Sequence, residues 1–547
     1  MSAVTASSSA AQRRWWQLSR PAAALLAVLV ALVVVSSVAH LWSLHRDLPL
    51  TDPDESTFVA PAVQIAASGD LNPHWFGHPG STVIYPLAGL FHVWDALTGG
   101  PVLTSNSELT AQFQRSPSTF YVIGRLWTIA LSVGALPLLF LVGRRAFNTR
   151  VALIGAAIWA VLPLPVHYGR VVRTDSAGLF FGLLALYLCL RLLDEPRFRW
   201  CVLAGVAVGL AIASRYFMVA LLPVLVAAAV LPDRRDHRRS VRSAGVALVS
   251  ALGGFVATTP FFFLDWNTAI DTLRVEESGT PGAQSHSPFG NLYWYLRVGI
   301  PESLTWALVA LAFVGVILVL RRPRPHQLLL GGFGAVFLAG ICLSGQHPQR
   351  WIIQLLPVLV LFAAFSIDVI GRVLAALATR IVRPSILTPV GLAALTGVLL
   401  VHPLASLVDA NANSSTRTAA RDWIVSNLPA GTRIVQDSRT VPLRGTTLDV
   451  DYGLNPRTDT LTDYERAGYQ YLIVNTLGSA KFKVHPERYS RESTFYLDVV
   501  CRAQRVVAFA ATTTRTGWTI SVFRIGRAPA DPSQRALCSR ARRDARA

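Results

Sequence analysis

Long apolar runs separated by short arginine-bearing segments fill the chain up to about residue 405, and a polar and apolar mixture fills the rest. The first run, 21–44, has roughly the 20 residues that a helix needs to cross a bilayer core. Further runs at 121–143, 151–168, 176–193, 199–213, 216–231, 241–263, 302–320, 327–345, 351–372 and 385–405 bring the expected count to about eleven spanning helices. Segment 81–97 is also apolar, and whether it crosses sets the sidedness of everything after it.

Charge decides the matter. If 81–97 does not cross, the loops holding Arg144, Arg145 and Arg150, then Arg197 and Arg199, fall on the side of the N-terminus. The same holds for Arg234, Arg235, Arg238, Arg239 and Arg242, and for Arg321, Arg322 and Arg324. Arginine retained on one side follows the positive-inside rule with a cytoplasmic N-terminus, whereas a crossing at 81–97 would turn these loops outward. Segment 81–97 is therefore expected to lie at the outer membrane surface or to dip in and return.

Periodicity changes after 405. Segment 418–427 predicts an amphipathic helix, 463–468 a short helix, and 433–436, 471–474, 506–510 and 519–524 predict strands. The chain thus divides into a membrane domain, 1–409, and a small α/β domain, 410–547, which an odd number of spans places outside the cytoplasm. The arginine-rich end, 535–547, is expected to be a frayed tail. The fold class is an all-α polytopic membrane protein with a C-terminal extracytoplasmic α/β domain.

Composition agrees. Of 547 residues, 52% are hydrophobic and only 15% charged, against about a quarter charged in soluble domains. The net charge of +19 would suggest nucleic acid in a soluble protein; here the cations concentrate in short loops between spans, so no nucleic-acid partner is expected. Lysine occurs only at Lys481 and Lys483, a bias that points to a GC-rich bacterial genome. The first apolar run is too long for a signal-peptide core and lacks a clear cleavage site, so it is read as a retained helix. Cys189, Cys201 and Cys342 fall in or beside spans as packing residues, whereas Cys501 and Cys538 stand in the polar region and are able to pair in an oxidising compartment.

The chemistry-bearing residues collect on the outward side. Asp52, Pro53, Asp54 and Glu55 follow the first span, and His78-Pro79-Gly80 opens segment 81–97. Arg173 and Asp175 begin a span, and Arg350 precedes another. Charges this close to hydrocarbon are costly unless paired or hydrated, so they mark either interfacial anchors or a functional cluster. An anchor needs only arginine; arginine with aspartate and a facing acidic loop favours a site. Asp54, Glu55 and Asp175 are the catalytic candidates. Asp52, His78, Tyr85, Arg173 and Arg350 are the substrate-binding candidates; Tyr85 also reads as a packing aromatic and Arg350 as an anchor, while the planar guanidinium of Arg350 suits a phosphate.

The order of these elements resembles the GT-C glycosyltransferases, more narrowly the protein mannosyltransferase and aminoarabinose transferase (PMT-like) branch. Asp54-Glu55-Ser56-Thr57-Phe58-Val59-Ala60 is similar to that branch's acidic stretch, His78-Pro79-Gly80-Ser81 to its basic-Pro element, Arg125 to an arginine opening the next span, and Asp175 to a later aspartate. The resemblance implies transfer of a sugar from a polyprenyl-phosphate carrier to a protein, lipid or cell-wall glycan acceptor, on the outer face of the cytoplasmic membrane and among membrane lipid, with inversion. It implies a carboxylate base at Asp54; the extra acid Asp52 leaves the choice between the two open. The lipid phosphate leaves readily, so no cofactor is required, although Asp54, Glu55 and Asp175 could hold a divalent metal. His78 replaces the usual lysine and matches its charge only when protonated. The rival reading is a polytopic lipid or glycolipid flippase, against which stand acids on one face and halves that do not match.

Overall fold

The computed structural model describes residues 20–42, 44–45, 48, 53–98, 106–232, 235–277, 287–344, 346–378, 396–409, 414–437, 440–476, 479, 489–512 and 515–544. Asp52 lies outside them, as do Arg234 and both lysines.

The chain is mostly helical, and the helices follow the apolar runs. Among the described residues six are long and apolar enough to cross a membrane: Ala22–Leu41, Pro117–Ala146, Thr174–Asp194, His237–Thr258, Pro325–Cys342 and Leu356–Leu374. Two helix pairs qualify jointly across a bend, Thr149–Ala160 with Pro163–Gly169 at 62° and Pro288–Leu304 with Trp306–Arg321 at 113°. Pro163 explains the first bend, since proline forbids the helical hydrogen bond at its own nitrogen. Thr305 at the second has φ of 79°, a conformation no helix continues through. Phe198–Ser214, Tyr216–Val230 and Thr396–Asp409 are shorter apolar helices. The helix Ser81–Thr98 is not among those apolar enough to span.

Most of the membrane core is one apolar cluster built from the Pro117–Ala146, Thr174–Asp194, Phe198–Ser214 and Leu356–Ala378 helices and their neighbours. A second cluster joins Ser56–Ser68, Ser81–Thr98 and the start of Pro117–Ala146 around Phe58, Leu87, Phe91 and Phe120. By contrast, Val28, Val30, Val34 and Val38 of the first helix are all exposed, the pattern of a helix that faces lipid. Cys189, Cys201 and Cys342 are buried free thiols.

Polar residues gather at opposite ends of the bundle. At one end Asp194 accepts from Arg145 Nε at 2.7 Å and meets His326 Nε2 at 2.6 Å. Arg372 pairs with the buried Asp368 at 3.1 Å. The other end holds the acid-bearing segments described below.

Residues beyond 413 form a five-stranded mixed sheet in the order β3 (Asp449–Asp451), β2 (Arg433–Gln436), β4 (Tyr471–Asn475), β7 (Ile520–Arg524), β5 (Gln504–Phe509). β2 is parallel to both β3 and β4, and β7 is antiparallel to β4 and β5. A separate two-residue pair joins β1 (Ser414–Ser415) to β6 (Arg515–Thr516). The helices Thr416–Asn427 and Leu461–Arg466 stand where the periodicity puts them, the second closed by a capping box between Thr460 and Asp463. The sequence reading missed the helix Ser490–Arg502 and the β1–β6 pair, and the structure departs from it at two further places. β3 is an additional edge strand, too short and acidic to show a strand pattern. The expected frayed tail is instead the helix Pro532–Asp544. A disulfide between Cys501 and Cys538 holds it, with Cα atoms 5.1 Å apart. Buried Gln534 also donates to the carbonyls of Val500 and Ala503 at 2.9 and 2.7 Å.

This sheet region sits against the acid-bearing end of the bundle. Gly445, with φ of 76°, approaches the Arg115 carbonyl so closely that a Cβ there would lie 3.0 Å from it. Arg444, Arg417 and Glu55 all lie within electrostatic reach of Tyr121.

Candidate functional site

Asp54 and Glu55 close a 3-10 turn, Pro53–Glu55, that leads straight into the helix Ser56–Ser68. About three residues per turn separate successive side chains by roughly 120°, so neighbouring carboxylates point apart. Glu55 turns inward. Its oxygens accept from Arg125 Nε and Nη2, both at 3.1 Å, and from the Val172 backbone N–H at 3.1 Å. Arg125 in turn donates to the Leu44 carbonyl at 2.8 Å. Glu55 and Arg125 are both fully buried.

Asp54 turns outward and is 24% exposed. Its Oδ2 accepts from Arg173 Nη1 at 2.6 Å, and Arg350 Nη2 stands 4.0 Å away. Arg173 is the extended residue that caps the helix Thr174–Asp194, which throws its side chain back over the helix start. There its Nε donates to Asp175 Oδ2 at 3.3 Å, so one guanidinium bridges Asp54 and Asp175. Asp175 also pairs with Arg215, and the Gln354 amide donates to the Asp175 carbonyl at 3.3 Å. Gly178, one turn on, leaves room for this crowding: a Cβ would lie 3.3 Å from both Arg215 Cβ and Gln354 Nε2. Asp175 occupies the first turn of its helix, where the dipole favours a negative charge.

Three guanidiniums, Arg173, Arg215 and Arg350, therefore face two carboxylates, and one positive charge is left over among these five groups. The Nε atoms of Arg215 and Arg350 are buried with no hydrogen-bond partner among the described residues, as are the Ser176 hydroxyl and Gln354 Oε1. Buried donors left open in this way mark a place for an anionic guest.

His78 stands beside the same arginines. Burial, followed by the charges of Arg173, Arg350 and Arg215, lowers its pKa to about 4, with Asp54 opposing. It is neutral at physiological pH and does not supply the cation that a lysine would. Its ring meets Trp75 edge-on at 5.3 Å. Tyr85 shares a narrow cleft with His78, Trp75, Tyr216 and Thr259, but its hydroxyl donates to the Leu71 carbonyl at 3.0 Å, away from the arginines. Gln349 turns to Glu302 and Ser303.

The sequence reading and the geometry meet on Asp54, Asp175, Arg173 and Arg350, which lie together, with His78 at their edge. Glu55 departs from its expected catalytic place: with no exposure and three N–H groups donating to its carboxylate, it has no access to a substrate. The metal set Asp54, Glu55 and Asp175 does not fit a cation either, because Glu55 and Asp175 are committed to arginines. No cluster of three or more His, Cys, Asp or Glu suited to a metal occurs among the described residues. Sequence reasoning missed Arg215 and Gln354. Arg215 carried a signal, since Arg215-Tyr216 at the end of an apolar run repeats the pattern of Arg350-Trp351.

Residues 121–263 match the family model of the dolichyl-phosphate-mannose-protein mannosyltransferases. The undecaprenyl phosphate-alpha-4-amino-4-deoxy-L-arabinose arabinosyl transferase 2 of Pseudomonas fluorescens is 27% identical over 420 residues, which cover 71% of this chain and 66% of that protein. The structure is similar to ArnT from Cupriavidus metallidurans in its apo state, at TM-score 0.50 and 15% identity over 92% of this chain and 98% of that one. It is similar also to the archaeal oligosaccharyltransferase AglB from Archaeoglobus fulgidus, solved with an inhibitory peptide and a dolichol-phosphate, at TM-score 0.50 and 14% identity over 90% and 74% of the two chains. At such identities the structural likeness speaks for the fold alone. The chain is thus a multi-pass membrane protein whose fold is similar to those of ArnT and AglB and whose residues 121–263 are similar to the dolichyl-phosphate-mannose-protein mannosyltransferases.

Proposed function

We propose that the chain transfers a sugar from a polyprenyl-phosphate carrier to an acceptor hydroxyl at the outer face of the cytoplasmic membrane. One observation carries this reading: among the described residues an accessible carboxylate, Asp54, stands beside Arg173, Arg215 and Arg350, and the Nε donors of Arg215 and Arg350 have no hydrogen-bond partner there. Asp54 takes the proton from the acceptor hydroxyl as its oxygen attacks the anomeric carbon. The bond from that carbon to the phosphate oxygen breaks with inversion, and the electron pair leaves on the lipid phosphate. Arg350 and Arg215 hold that phosphate and stabilise its charge. Arg173 and Asp175 fix the base and the cations relative to one another, and Glu55 with Arg125 positions the turn that carries Asp54. His78, neutral, borders the site as a hydrogen-bonding group. No step is routed through a metal.

The same reading extends to topology and domains. We take the six straight spans, the two bent pairs and the three shorter apolar helices among the described residues as eleven crossings. That count, with a cytoplasmic N-terminus, puts the arginine-rich ends inside and the Asp54 turn outside. A boundary near residue 410 separates the membrane domain from the C-terminal domain. The disulfide Cys501–Cys538 supports an extracytoplasmic place for the latter.

The test is to incubate the purified protein in nanodiscs with radiolabelled polyprenyl-phosphate sugars together with an extract of cell-envelope protein, lipid and glycan as acceptors, and to fractionate the products. Consumption of one such donor by the wild type, lost in Asp54→Asn, is expected; a wild type that consumes none ends the transferase reading.

A further inference from the structure

A second polar cleft lies in the C-terminal sheet, apart from the arginine cluster. It opens where β2 and β4 begin and β7 ends, and is lined by Pro429, Gly431, Tyr469, Gln470, Tyr471 and Arg524 among others. Its volume of about 530 Å3 falls in the range of about 300–1,000 Å3 typical of small-ligand sites.

Its walls are ordered. Tyr469 donates its hydroxyl to Asp451 at 2.5 Å, and the Arg433 guanidinium covers its ring at 4.8 Å from the centroid. Tyr471 and Arg524 are register partners across β4 and β7, with the guanidinium 6.0 Å from the ring centroid. Gln470, between the two tyrosines, is exposed. Aromatic rings beside planar guanidinium and amide groups suit a sugar, whose C–H face stacks on a ring while its hydroxyls take flat, directional hydrogen bonds. No carboxylate is among the lining residues, so an acidic sugar meets no repulsion from the walls.

Placement links the cleft to the membrane site. The Gly431 N–H on its wall donates to the Thr447 carbonyl at 2.8 Å. Two residues earlier, Gly445 rests on the Arg115 carbonyl at the acid-bearing end of the bundle. The cleft wall is thus continuous with the segment that abuts the membrane helices on the side of Asp54.

We propose that this cleft binds sugar units of a glycan acceptor and retains the chain while its end is presented at Asp54. The proposal rests on the transferase reading for its purpose and on the cleft's own residues for its chemistry. The full-length protein in nanodiscs is titrated with manno-, arabino-, galacto- and glucotetraose, with binding read by calorimetry. Saturable binding of at least one tetrasaccharide is expected, unchanged in Asp54→Asn. It should weaken at least ~10-fold in Arg524→Gln, which removes the planar cation, and in Ala430→Trp, which fills the cleft from an exposed position. Donor hydrolysis in the absence of glycan, with water as the acceptor hydroxyl, should stay within about twofold of wild type in both variants, which also shows that they fold. Absence of binding by every tetrasaccharide, or equal binding by wild type and both cleft variants, overturns the proposal. If binding follows the cleft but no polyprenyl-phosphate sugar is consumed, the glycan site stands and the transferase reading falls.

Discussion

Arg125 grips both carboxylate oxygens of Glu55 at 3.1 Å, with neither residue exposed to solvent. The pair ties the Asp54 turn to the helix Pro117–Ala146, and through the Val172 N–H to the residue just before Arg173. Losing one partner leaves the other charge buried and uncompensated, at a cost of roughly 3–5 kcal/mol. Glu55→Gln and Arg125→Met should each lower the melting temperature in nanodiscs, and the double variant should lose less than the sum of the two. Additive losses would mean that the pair is not the staple described.

Asp54→Asn keeps the size and the hydrogen bond to Arg173 but cannot take a proton. Sugar transfer should fall by ~10²-fold or more, with melting temperature and donor-lipid binding preserved. Full transfer by this variant would remove Asp54 as the base and turn attention to Asp52.

Arg350→Ala should raise the KM for the donor more than it lowers kcat, because a phosphate contact is made before the transition state. Arg173→Lys is the contrasting change. Lysine keeps the charge but cannot reach Asp54 and Asp175 with two nitrogens of one plane, so kcat should drop with little change in donor KM. Equal kinetic signatures in the two variants would contradict this division of labour.

The folded state depresses the pKa of His78 to about 4, below the ordinary histidine value of 6.5. Above 6.5 neither the folded nor the unfolded form carries the proton, and no linkage exists. Between 6.5 and about 4 the unfolded chain binds a proton that the folded chain refuses, so stability falls as pH falls, by roughly 3 kcal/mol in all. Melting curves from pH 7.5 to 4.5 should therefore decline more steeply for the wild type than for His78→Asn. Parallel curves would show that His78 titrates normally in the fold.

Sidedness is open to thiol labelling, since Cys189, Cys201 and Cys342 are buried and Cys501 is bonded to Cys538. A cysteine at Asn72 or Gln470 should react with an impermeant reagent in intact cells, and one at Arg238 should not. The reverse pattern would invert the topology.

The membrane helices were legible because each needs a long apolar run, and the strands at 433–436 and 520–524 because short runs rich in Ile, Val and Phe, mostly buried, are set off by turn residues such as Gly431 and Gly526. Spatial neighbours are written less openly. Asp54, Arg173 and Arg350 were readable as charges too close to hydrocarbon to lack a purpose. That Glu55 belongs to Arg125 and Asp54 to Arg173 depends on the local turn, which a sequence of adjacent acids does not reveal. Arg215 was hidden by being an ordinary span-end arginine, and the final helix by a polar composition whose order comes from a disulfide and one buried glutamine.

The Pro53–Glu55 turn has a consequence for how variation here should be interpreted. Because it splits adjacent acids between a sealed and an open direction, Asp54 and Glu55 are not interchangeable despite like charge. Exchanging their order would lengthen the outward acid by one methylene, about 1.5 Å, into the space an acceptor needs, and shorten the inward one by as much, away from Arg125. A one-residue insertion between the two acids would do worse, turning Asp54 by roughly 120° away from Arg173. The grammar of the motif thus lies in the phase of the backbone as much as in its letters.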